Sequence, residues 1–168
     1  DALVYVDADH SGGFSAGDPF TYTAPDGSFS LDTSGGPVIL QGVQGGGHNS
    51  VDTLTGLAFT GTLKAPTGST VVTPLTTLIV AVGGDPATAE STVKAALGLD
   101  SSVDLTTLDP VAGTLSNAPG AAAVLAASIQ VQATITQISA ATSASAGDVV
   151  TALAQQVTDS QQGAATVV

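Results

Sequence analysis

Three aspartates fall within one glycine-rich stretch, Asp7-Ala8-Asp9-His10-Ser11-Gly12-Gly13-Phe14-Ser15-Ala16-Gly17-Asp18. Against the twelve-position calcium loop, side-chain oxygens stand at positions one, three and five as Asp7, Asp9 and Ser11. Gly12 takes the sharp turn at position six, Gly13 offers a backbone carbonyl at seven, and Asp18 closes the loop at twelve. Ca²⁺ is a hard ion that takes six to eight oxygens, so alternate residues of a tightly turned loop must converge on one point. Ser11 is neutral where an acid or amide is usual, and Asp18 is shorter than the bidentate Glu. Both departures lower the expected affinity to the extracellular range, on the order of 10⁻⁴ to 10⁻³ M. No helix flanks the loop in the sequence pattern, so it is not expected to be half of an EF-hand sensor.

Other chemistry fails on context. Gly13-Phe14-Ser15-Ala16-Gly17 matches the nucleophile-elbow pattern, but an elbow needs a helix directly after it, and Asp18-Pro19 and a strand follow here. His10 and His48 are the only histidines, both in loop sequence, and no zinc, phosphate-loop or dinucleotide pattern occurs. The chain is therefore not expected to be an enzyme.

The positioning elements come in two kinds. Residues 1–73 read as short strands and turns: segment 2–6; Phe20, Tyr22 and Ala24 alternating with Thr21 and Thr23; Phe29 and Leu31 alternating with serines; Val38-Ile39-Leu40; the period-two run 57–64; and 69–72. Pro25-Asp26-Gly27 is a turn signal, and 42–53, with three consecutive glycines, reads as a flexible linker. From residue 74 the period becomes helical. Thr73-Pro74, Asp85-Pro86 and Asp109-Pro110 each set a capping oxygen before a first-turn proline. The first helix carries Leu75, Leu78, Ile79 and Val82 and stops at Gly83-Gly84; the second stops at Gly98; a third holds Val111 and Leu115. A long one covers 121–142, and the last runs from about 148 to 162 with Gly163 as its stop. The fold class expected is α+β: an antiparallel β-sandwich (1–73) packed with a helical bundle (74–163), followed by a β-prone tail (164–168).

Composition narrows the partners. Only two of the 168 residues are basic, Lys64 and Lys94, against fourteen acids, for a net charge of −12. That leaves no cationic surface for nucleic acid or an anionic membrane. The long uncharged stretch 110–147 is broken by Gly113, Asn117, Pro119 and Gly120 and carries three glutamines, so no membrane insertion is expected. Cysteine is absent, and a charged fraction of 10% with abundant small residues points to an extracellular protein stabilised by packing or metal.

The segments Leu3-Val4-Tyr5-Val6-Asp7-Ala8-Asp9, Gly12-Gly13-Phe14, Ala16-Gly17-Asp18-Pro19 and Thr23-Ala24-Pro25-Asp26-Gly27-Ser28-Phe29-Ser30-Leu31 resemble the B-type and carboxypeptidase-regulatory-like repeats of bacterial surface adhesins. The likeness covers roughly residues 2–41. It implies a calcium-binding β-sandwich at the cell surface, with Asp7, Asp9, Ser11, Gly13 and Asp18 as ligands. Segments 56–66 and 72–78 resemble stretches that follow such sandwiches in large secreted proteins, where a helical part comes next.

In the sandwiches so resembled, another strand usually precedes the one entering the metal loop. Here segment 2–6 stands almost first, so the sandwich is expected to lack its first strand and to leave an open edge or groove. Ala164, Ala165, Thr166, Val167 and Val168 form a spare β-prone run of about 17 Å when extended. Together these suggest a subunit of an extracellular filament, in which the tail of one copy completes the next, head to tail, by donor-strand complementation. The alternative is a module of a tandem-repeat surface adhesin that binds glycan or protein.

Overall fold

The computed structural model describes residues 1–52 and 56–165, and the chain divides into two compact units, Asp1–Val72 and Thr73–Val168. The architecture is α+β: a four-stranded antiparallel sheet with a small two-stranded ribbon, then five helices.

The sheet runs in the order β2 (Phe20–Tyr22), β1 (Leu3–Val6), β3 (Val38–Gln41) and then the last strand of the unit, Thr62–Ala65, which we number β6. β1 lies inside the sheet, with Val4 opposite Thr21 on one side and Leu40 on the other. Both its faces are covered, which is why its sequence is continuously apolar rather than alternating. Leu3, Tyr5 and Ile39 form one face with Val43; Val4, Val38 and Ala65 form the other, where Phe29, Leu31, Leu40 and Val72 pack.

Three expectations for this unit change. No edge beside β1 is open, because β2 and β3 pair along both of its sides. The expected linker contains the ribbon β4 (Gln44–Gly45) and β5 (His48–Asn49), a hairpin turned by Gly46 and Gly47, both at positive φ as a two-residue turn of this kind requires. The run 57–64 is shared between two partners. Its first part bonds to residues 50–52 through Phe59 N–H to the Ser50 carbonyl, and only Thr62–Ala65 joins the sheet. The runs at 29–31 and 69–72 belong to no ladder among the described residues, and the second bends at Thr70.

In the helical unit, α1 (Pro74–Val82), α2 (Pro86–Leu97) and α3 (Pro110–Leu115) start where a capping oxygen precedes proline. Thr73 and Thr76 form a reciprocal capping box, and the Asp85 and Asp109 carboxylates accept first-turn N–H groups. α4 (Ala121–Thr142) buries Val124, Ala127, Val131 and Ile135 with Leu75, Leu78, Ile79, Val93 and Leu105. By length and composition α4 could cross a membrane; Val124, Ala127, Val131 and Ile135 lie in this unit's core, whereas Ile129 and Ile138, expected on its apolar face, are exposed. α5 (Ala146–Ala165) does not stop at Gly163; a single glycine costs about 1 kcal/mol in a helix, and the alanines that follow are the best helix formers. Two of the five residues expected as a donor strand, Ala164 and Ala165, are therefore helical, and Thr166, Val167 and Val168 lie outside the described residues.

A repeated local device pins the acidic loops. Asp26, Asp32, Asp100 and Asp104 each accept both the N–H and the hydroxyl of the Ser or Thr two residues on, at 2.6–3.0 Å. These bonds hold all four carboxyls below the ordinary carboxylate range. A carboxyl lowered on folding adds stability above its unfolded value, near 3.9, and that stability is lost as pH falls through the folded values. Melting followed by circular dichroism from pH 6 to pH 2 should therefore fall off only below about 4. A decline already complete at pH 5 would contradict these turns.

Candidate metal centre

β1 delivers Asp7 to the end of the sheet, where the chain turns out of the ladder through His10 and Gly12, both at positive φ. Asp18 returns just before β2 and thus faces Asp7 across neighbouring strands. Carboxylate oxygens of Asp7, Asp9 and Asp18 lie within 4.8 Å of one another. Asp7 and Asp18 are buried and Asp9 is exposed.

Backbone N–H groups shape the cluster. Ser11 and Gly12 donate to Asp7 Oδ1 and Oδ2 at 2.9 and 3.0 Å; Ala8 and Ser15 donate to Asp18 Oδ1 and Oδ2 at 3.1 and 2.8 Å. Ser11 N–H also reaches Asp9 Oδ1 at 3.0 Å, and hydrogen bonding from Ser11 holds the Asp9 carboxyl below its ordinary value. Each carboxylate oxygen keeps a second lone pair, so four N–H groups orient the acids and leave them able to coordinate. No lysine or arginine occurs in the loop. Burial, and after it the charges of Asp7 and Asp18, raise the Tyr5 phenol above its usual value.

The donor set fits a cation. Ca–O distances of 2.3–2.6 Å place ligands on opposite sides of one ion about 5 Å apart at most, and the three carboxylates meet that limit. Of the five residues expected as ligands, the structure brings together the carboxylates of Asp7, Asp9 and Asp18. The other two, Ser11 and Gly13, meet each other, the Ser11 hydroxyl donating to the Gly13 carbonyl at 2.9 Å. A group of three acids that could hold a metal ion is thus present.

Two supports of the loop escaped the sequence. Gly36 passes so close behind it that a Cβ there would lie 2.5 Å from the Asp7 carbonyl oxygen. Its neighbour Pro37 accepts the Asp7 N–H at 3.0 Å. Gly36→Ala must push that backbone away, at a cost of about 1–3 kcal/mol. Urea unfolding should show this loss, and calcium titration a weaker site; unchanged values in both would mean the contact relaxes freely. Phe14 is the other support. It leaves the loop to meet Tyr5 edge-on at 5.3 Å and Phe20 at 5.2 Å, and the row continues through Tyr22, 6.3 Å from Phe20, to His48, stacked on Tyr22 at 3.9 Å. The alternation of Phe20 and Tyr22 was the one sequence signal for this row, since it puts both on the Tyr5 face.

Searches against family models, curated proteins and solved structures found nothing that matches this chain.

Proposed function

We propose that the chain is an extracellular structural protein whose β unit is stabilised by Ca²⁺ and which assembles with copies of itself, head to tail, by strand donation. The observation that carries this reading is the cluster of Asp7, Asp9 and Asp18 at the end of the sheet's interior strand. Calcium is favoured because every candidate donor is an oxygen, two of the acids are fixed by backbone N–H groups, and a hydroxyl and a carbonyl stand close by in the same loop. A weak, neutral-serine site suits a medium rich in calcium and fits a chain without cysteine. The metal's part is to neutralise three carboxylates and fix the loop; the protein's part is the sheet that the loop closes.

Electron microscopy of the purified protein tests the assembly. Filaments are expected with calcium and dispersed particles with EGTA; dispersed particles under both conditions would end the filament reading. A second reading, a module that binds glycan, is favoured by the row of Phe14, Phe20 and Tyr22, each exposed by more than a third. Glycan-array binding that Phe20→Ala abolishes would select it.

A further inference from the structure

We propose that the strand-accepting site is the recess between segments 29–33 and 69–72, and that its occupant is the 164–168 segment of a second copy; this rests on the filament reading above. The two segments are tied at one end by Gly68 N–H donating to the Thr33 carbonyl at 2.8 Å. Beyond that bond they border a recess of about 210 Å³, lined by Phe29, Ser30, Leu31, Thr33, Ser69 and Thr70.

The backbone there is unfinished. Phe29, Leu31 and Thr33 are half-buried while Ser30 and Asp32 are exposed, the alternation of a strand with one face on a core. Phe29 and Leu31 accordingly pack on the Val4–Val38–Ala65 face, as does Val72 from the other wall. Yet among the described residues the N–H groups of 29–33 and 70–72 donate no hydrogen bond. The Ser69 hydroxyl, on a residue 1% exposed, also has no partner. Unpaired donors along both walls and a buried orphan hydroxyl between them call for a ligand that offers carbonyls and N–H groups at strand spacing, which is an extended peptide. A strand there would complete a second layer over the sheet and make the unit a sandwich.

Charge and chain length select the occupant. No wall residue is charged, in a chain of net charge −12 with Asp32 at the rim, so an acidic segment would be repelled. Ala164-Ala165-Thr166-Val167-Val168 is uncharged, small and β-branched in its last three residues, which lie beyond the described chain. Extended, it reaches about 17 Å. Gly163 is the weak point at which the end of α5 can peel away, releasing Ala164 and Ala165 from the helix.

The chain has no native cysteine, so disulfide trapping in the full-length protein reads the contact directly. Paired strands lie about 4.8 Å apart, within disulfide reach. Ser30→Cys and Thr70→Cys, each combined with Thr166→Cys or Val167→Cys to allow for register, should give reducible ladders of linked chains in calcium. Phe20→Cys with Val167→Cys, on the sheet edge, should not. Filaments with no ladder from any recess pair, or a ladder from the Phe20 pair instead, would overturn this site and leave strand donation standing elsewhere. Absence of filaments from the unaltered protein would overturn both.

Discussion

In calcium at about a hundred times its dissociation constant, the β unit is expected to gain about 2.7 kcal/mol, because the ion binds the folded loop and not the unfolded chain. For a unit of some 70 residues that corresponds to a rise in melting temperature of roughly 10–20 °C. Asp9→Ala is the informative variant. Asp9 is exposed, so the substitution opens no cavity, and it removes one of the three carboxylates in the cluster. At the same calcium concentration most of the rise should disappear. Without calcium the variant should be only slightly less stable than the parent, since the loss is confined to the hydrogen bonding from Ser11 to one exposed carboxylate. Asp7→Ala is less informative: that carboxylate also accepts the Ser11 and Gly12 N–H groups, and its loss would loosen the loop with or without metal. Melting curves that coincide in excess calcium and excess EGTA would remove the metal from this protein's account.

Lys94→Ala should be the most damaging single change in the helical unit. Lys94 pairs with Glu90 one turn earlier at 3.0 Å, with the two side chains 11% and 14% exposed. Its ammonium also donates to the carbonyls of Ser101 at 3.1 Å and Val103 at 2.8 Å, while Glu90 accepts the Leu105 N–H at 2.9 Å. The pair thereby staples α2 to the 100–105 loop, which carries Val103 and Leu105 into the core. Removing the lysine leaves a nearly buried carboxylate and two carbonyls without their cation, a loss of about 3–5 kcal/mol by urea unfolding. Glu90→Gln with Lys94→Met should recover most of it, because Gln still accepts from Leu105 and no charge is stranded. A loss under about 1 kcal/mol for Lys94→Ala would class the pair with ordinary surface ion pairs.

The parts of the molecule that sequence disclosed were those decided locally. Helix starts at Thr73-Pro74, Asp85-Pro86 and Asp109-Pro110 were legible because a cap and its proline are neighbours in the chain. The grouping of Asp7, Asp9 and Asp18 was legible for the same reason, since the three acids lie in one short loop. What depends on distant partners was not. Phe29–Leu31 has the pattern of a strand, but pattern does not say whether a second strand lies alongside. The 57–64 run looks uniform, yet its two ends find different partners on either side of Gly61. Nothing in the vicinity of Gly36 marks it as the floor under Asp7, and nothing near Lys94 names Ser101 and Val103 as its acceptors.

The interior position of β1 has a mechanical meaning. Both of its neighbours run antiparallel to it, so tension applied at residue 1 pulls along the strand and shears two ladders at once. Bonds loaded in shear must yield together, whereas those of a hairpin pulled apart from its open end yield one by one. The far end of β1 runs straight into Asp7, so a bound ion would act as a rivet at the point where the strand would begin to slide. The Gln44–Asn49 ribbon lies on the connection between β3 and β6 and is bypassed while their ladder holds, so it would open only after the sheet had yielded. A thread built from such units would owe its strength to the sheet and keep the connection as slack in reserve.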